Sequence, residues 1–192
     1  MKYSLPLALG VAFVASTLGL AAQTSHSTTA PKKYPQTTTK TAAEMAEHHF
    51  VKTAAEGGMA EVQLGQLAVD KASNPKVKDF GQRMVTDHGK ATAELKAIAA
   101  SKNITWPTTL NAKDQALKDK LSKLSGAAFD RTYMDAMVKD HEADLVALNK
   151  QATTGQDSEI KGWASKTATV VEGHLKLARD IQKELGGAKP TQ

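Results

Sequence analysis

MVTDH (84–88) and MVKDH (137–141) are one pentapeptide with a single change, set 53 positions apart. In each copy Met and His stand four residues apart, which is one turn of an α-helix and puts both on one face. Outward from the first copy, apolar residues spaced three and four apart run Val77, Phe80, Met84, His88, Ala91, Leu95, Ile98. Outward from the second they run Phe129, Tyr133, Met137, His141, Leu145, Leu148. Two more stripes of the same period flank these: Phe50, Ala54, Gly57, Glu61, Leu64, Ala68, and Ile160, Trp163, Thr167, Val170, His174, Leu177, Ile181, Leu185. The period is helical throughout, and no strand-like alternation competes with it.

Punctuation residues set the helix limits. The first helix is expected from about Glu44 to Ala72, where Ser73-Asn74-Pro75 ends it and caps a second helix running to about Ser101. Asn103 stops that helix, ITWPTTLN (104–111) forms a loop, and a short helix fits 112–124. The third long helix spans about 127–153 and stops at Gly155, and Asp157 or Ser158 caps the fourth, which ends at Gly186–Gly187. The short connections make two antiparallel hairpins. The long connection between the second and third long helices returns along the bundle and leaves those two parallel. The expected fold is all-α, a ferritin-like four-helix bundle with one long crossover between helices 2 and 3.

Each stripe is interrupted near its middle by one ionisable residue: Glu61, His88, His141 and His174. Four helices thus offer one carboxylate and three imidazoles to one core layer. Two chemistries suit that set. One is a structural polar layer whose members hydrogen-bond each other and fix helix register. The other is a transition-metal site for Fe, Mn, Cu or Zn, joined by the thioethers of Met84 and Met137 if the ion is copper. Asp87 and Asp140 lie about 100° from the following His, placed to orient an imidazole across a helix interface. A carboxylate-bridged di-iron centre needs Glu-x-x-His pairs, and the residues three before the histidines are Val85, Val138 and Val171. His48 and His49 are adjacent, so on a helix they point apart. No nucleophile elbow or glycine-rich phosphate loop is present, and no catalytic residue is assigned.

The chain has 192 residues and no cysteine, which excludes disulfides, thiolate ligands and a cysteine-linked lipid anchor. Of its 25 Lys and Arg, four (Lys2, Lys32, Lys33, Lys40) lie in 1–43, which holds none of its 20 acids. The remaining 21 against 20 leave 44–192 at net +1, so no phosphate-binding face and no nucleic-acid partner is implied. One Lys, an apolar run from Leu5 to Leu20 and small residues near Ala21 and Ala22 read as a secretory signal peptide over 1–22, with no transmembrane insertion of the mature protein. Residues 23–43, rich in Thr, Ser, Pro and Lys, read as a disordered linker before the bundle at 44–187 and a tail at 188–192.

Three segments carry a family resemblance: EGGMAEVQLGQLAVDKASNPKVKDFGQRMVTDH (56–88), FDRTYMDAMVKDHEADL (129–145) and VEGHLKLARD (171–180). They resemble domain-of-unknown-function family 4142. That resemblance implies an exported bacterial ferritin-like bundle, of a kind often labelled outer-membrane protein. The expectation is therefore an exported, periplasmic protein with outer-membrane association and an envelope or protein partner. Its role is a non-catalytic binding or stress-related one. The alternative is a metal-binding protein using the His/Glu layer, with a redox metalloenzyme ranked below it. Substrate and oligomeric state are not legible in the sequence.

Overall fold

The computed structural model describes residues 41–187. The signal peptide expected at 1–22, nearly all of the expected linker and the tail at 188–192 lie outside the described residues. The described residues form five helices: α1 (Ala42–Lys71), α2 (Pro75–Ser101), α3 (Ala112–Ser122), α4 (Gly126–Thr154) and α5 (Ser158–Gly187). The protein is an all-α helical bundle, and no strand occurs among the described residues.

The caps explain the limits. α1 begins two residues before the expected Glu44, because Thr41 and Glu44 form a reciprocal capping box: Glu44 N–H donates to Thr41 Oγ1 (3.2 Å) and Thr41 N–H to Glu44 Oε2 (2.7 Å). Asn74 caps α2 by accepting from Lys76 N–H at 2.8 Å, with Pro75 at the first position. Asn103 takes φ 54°, the left-handed value that ends α2. Asp157 accepts from the backbone of Glu159 and Ile160, both at 3.0 Å, and starts α5. The α1–α2 turn is tied down by a residue far along the chain. Buried Asp130 of α4 accepts from Ser73 N–H (3.0 Å), the Ser73 hydroxyl and Asn74 N–H (2.9 Å).

α1 and α2 pack as one antiparallel hairpin, α4 and α5 as the other; α2 lies against α5 and α1 against α4. Glu47 bonds Gln151 and Glu61 lies beside His141, so α1 and α4 run opposite ways and α2 and α4 are parallel. The crossover carries α3 over the α1–α4 seam, held by Lys118 to Gln63 (2.7 Å) and Lys113 to Asp140 (2.8 Å). α1 and α2 approach closely at Gly65 and Gly81, where a Cβ on either would stand 2.7 Å from the other's carbonyl oxygen.

The core has two apolar halves. One gathers Leu64, Phe80, Met84, Phe129, Tyr133 and Ile181. The other gathers Val51, Leu95, Leu148, Ile160, Trp163 and Val171. On all four long helices the ionisable residue sits between the two. The buried stripes differ from expectation at three positions. Val51 and Ala55 are buried where Phe50 and Ala54 were expected, and those two are half-buried. Val171 is buried (1% exposed) in place of Val170 (39%). A helix advances about 3.6 residues per turn, so a stripe read with a step of four where the buried face takes three, as from His174 back to Val170, moves to the neighbouring position.

Candidate metal centre

His88 from α2, His141 from α4 and His174 from α5 converge between the two apolar halves. Their ring centroids are 5.6 Å (His88–His141), 5.3 Å (His88–His174) and 5.6 Å (His141–His174) apart. One ring nitrogen of each lies within 4.8 Å of one on each of the others. All three are buried, His141 completely. Phe80 closes the layer from one apolar half, its ring centroid 6.1 Å from His141 and 6.4 Å from His174.

The hydrogen bonds fix two tautomers. His141 Nδ1 is 2.9 Å from the carbonyl oxygen of Met137, which only accepts, so Nδ1 carries the proton and Nε2 is left with its lone pair. His174 Nε2 is 3.0 Å from Asp87 Oδ2, which likewise makes Nε2 the donor and leaves the Nδ1 lone pair. His88 Nε2, His141 Nε2 and His174 Nδ1 are all buried with no hydrogen-bonding group facing them. A self-satisfied polar layer pairs donors with acceptors, and here two assigned acceptors and the Nε2 of His88 are each left without a hydrogen bond.

Burial and mutual repulsion hold these rings neutral. Burial, then the neighbouring His141 and His174, lowers His88 from 6.5 to about 3. Burial and His174 lower His141 to about 4, against the opposing Met137 carbonyl. His174 is lowered by burial, opposed by Asp87. Neutral imidazole is the form that ligates a metal.

The remaining expected residues fall in different places. Glu61 is buried on α1 at the same level, with Oε1 3.7 Å from His141 Nδ1, the nitrogen already bonded to Met137. It therefore flanks the outer edge of His141 and is not among the groups whose ligand atoms gather within 4.8 Å. Burial first, then Asp144, Asp140 and Asp114, pushes its carboxyl well above 4.5, and Oε2 has no partner. Met84 and Met137 are fully buried one turn before His88 and His141. Asp87 reaches across from α2 to His174 on α5, whereas Asp140 turns to Lys113 on α3. His48 and His49 lie near the start of α1, away from the layer.

Two groups near the layer were not singled out from the sequence. Asp144, three residues after His141, is pushed up to about 6 by burial and then by Asp140. Tyr133, fully buried against Phe80 and Phe129, has a hydroxyl without a partner. The spacing of His141 and Asp144 is visible in the chain. Their shared environment depends on where α3 docks, and α3 has no long apolar stripe to foretell that.

Fold and site together define a helical bundle with a buried three-histidine centre. The family described as a domain of unknown function, DUF4142, matches residues 32–181, and the chain belongs to that family. A crystal structure of a DUF305 protein from Streptomyces coelicolor is similar in fold, with 12% identity and a TM-score of 0.65 over 77% of this chain and 98% of that one. A DUF305 fragment from Deinococcus radiodurans gives 13% identity and 0.63 over 74% and 96%. At such identity the likeness shows the fold alone. No curated protein matches the chain. Among the described residues no helix is long and apolar enough to cross a membrane.

Proposed function

We propose that this protein binds one transition-metal ion, zinc or copper, through His88, His141 and His174, and does so as an exported, periplasmic protein of the cell envelope. The observation that carries the reading is the convergence of three buried ring nitrogens without hydrogen-bond partners, two of them fixed as acceptors. A satisfied structural layer has no use for that arrangement, and an unpaired buried polar atom costs about 1–3 kcal/mol. A bound cation answers all three at once. Imidazole suits zinc and copper, while manganese prefers carboxylate oxygen and non-haem iron commonly takes a carboxylate with its histidines. Glu61 flanks the ligand set instead of joining it, which favours zinc or copper. Buried Met84 and Met137 add thioethers close to two of the ligands if the ion is copper.

The surroundings fit an ion. Asp87 orients His174 as carboxylates orient metal-bound histidines. Met137 carbonyl does the same for His141. The export half of the reading rests on the leader-like residues 1–22. A binding role is preferred over di-iron redox chemistry because valines replace the Glu of each Glu-x-x-His pair. The test is metal content. Untagged protein purified from the periplasm without chelator should carry close to one zinc or copper per chain. Protein that stays metal-free after exposure to zinc, copper, iron and manganese would sink the reading.

A further inference from the structure

We propose that the ion reaches the three-histidine centre as a free hydrated cation, through an acidic cleft between α1, α3 and α4 and past a waist at Gly57 and Asp144. This inference rests on the metal reading above.

The cleft has a volume of about 200 Å³ and is lined by Asn111, Lys113, Asp114, Asp140, Asp144 and Glu61, among others. Glu61 is only 3% exposed, lines the cleft and has Oε2 without a partner, so a buried unpaired carboxyl oxygen stands at its inner end. Glu61 Oε1 lies 3.7 Å from His141 Nδ1, which puts the cleft floor against a ligand histidine. Four carboxyl groups, those of Glu61, Asp114, Asp140 and Asp144, thus line the cleft against the single ammonium of Lys113. Lys113 stands 70% exposed in an ion pair with Asp140.

A second space adjoins the centre from the opposite side of the waist. It is a cavity of about 70 Å³, lined by His88 together with Phe50, Ala91, Trp163 and Val171 among other residues. The cleft and the cavity share Thr53, Gly57 and Asp144 as lining. The two spaces therefore abut at those three residues, and the second reaches the ring of His88. A Cβ on Gly57 would meet nothing within 4 Å, which marks the waist as open on the α1 side. The second space, at about 70 Å³, is smaller than the cleft, so a hydrated ion has less room beside His88 than at the entrance. The spacing of the carboxylates lining the approach suits passage: no three acids gather their oxygens within 4.8 Å, so the cleft does not hold an ion as tightly as the centre.

The experiment is stopped-flow uptake of Co(II) by metal-stripped full-length protein, read by the visible absorption of the cobalt–imidazole complex, with chelator-driven release measured separately. Gly57→Leu should slow uptake and release together by about tenfold, with equilibrium affinity within about twofold of the parent. Gly57→Ala serves as the folding control. Asp114→Asn and Asp144→Asn should slow uptake and flatten its dependence on ionic strength, because a cleft of one sign raises on-rates by about 10-fold or more. Lys113→Ala should speed uptake. If uptake is unchanged in Gly57→Leu and in the Asn variants while the cobalt spectrum forms normally, the route is wrong and the centre stands. If the parent never develops the spectrum, the metal reading fails and the route with it.

Discussion

At the scale of single residues, the centre is three imidazoles whose other nitrogens are already spoken for or left in apolar surroundings. His141 and His174 each use one nitrogen on a fixed acceptor, which directs the other inward. In metal-free protein those inward nitrogens are a cost, since each unpaired buried group loses about 1–3 kcal/mol of hydration. His88→Leu should therefore leave the metal-free protein as stable or more stable, while His88→Ala, which opens a cavity, should destabilise it by about 2 kcal/mol or more. Urea denaturation of stripped protein measures both, and equal losses would argue that His88 is satisfied by groups within the fold. Asp87→Asn should keep the fold and weaken metal affinity about 10–100-fold, because the amide no longer holds the His174 tautomer. Competition with a chelator of known affinity reads this directly. Affinity matching the parent would mean that Asp87 does not orient His174.

At the scale of helices, the α1–α2 hairpin depends on a close glycine contact between its two members. Gly65 and Gly81 let the two backbones meet, since a Cβ on either would stand only 2.7 Å from the other's carbonyl oxygen, so Gly81→Ala must push the helices apart. Its cost should be about 1–3 kcal/mol despite the better helix propensity of Ala. Thermal melts test this, and a rise in melting temperature would show that the crossing yields freely. Much of the helical level was legible in the chain: caps at Asn74 and Asp157 and the stop at Asn103 follow from local chemistry, and the two MVxDH copies mark the same level on the parallel α2 and α4. The level of Glu61, His88, His141 and His174 was legible for the same reason, since helix position counts residues. Azimuth was less so. Sequence spacing puts Glu61 in the layer but cannot say which edge of His141 it meets, and one-position drifts exchange Val170 for Val171 and Phe50 for Val51. Asp130 capping a turn 57 residues before it, and the carboxylates around Asp144, depend on tertiary contacts between distant segments.

At the scale of the whole molecule, the titratable layer sets the response to pH. The imidazoles are held below 6.5, His88 to about 3 and His141 to about 4, so the unfolded chain takes up their protons first. Their contribution to stability is full above about 6.5 and is lost as pH falls towards the folded values. Glu61 and Asp144 act oppositely. Their folded values are raised, to about 6 for Asp144, so their contribution is full below the ordinary carboxyl range and fades as pH rises through the folded values. Between about pH 6.5 and 4.5 the two sets oppose each other and stability should fall only gently on acidification. Below about 4 the carboxyls are protonated in both states and His141 has reached its folded value, so the remaining loss, up to about 1.4 kcal/mol per pH unit, comes from His88 and ends near pH 3. Denaturation midpoints from pH 7 to 3 would follow this curve. A His88→Leu/His141→Leu double variant should lack most of the steep limb, and a limb of undiminished slope there would place its origin elsewhere.

The most direct test of the three-histidine centre is a zinc and copper titration of chelator-stripped protein, followed by melting temperature and binding stoichiometry, with the His88→Leu/His141→Leu double variant alongside. A ligand at about 1,000 times its dissociation constant adds about 4 kcal/mol. For a chain of this size that is a rise on the order of 10 °C. The parent should bind one ion per chain with such a rise, and the variant should show neither. No rise with either metal, or an equal rise in the variant, would contradict the assignment of His88, His141 and His174 as a ligand set.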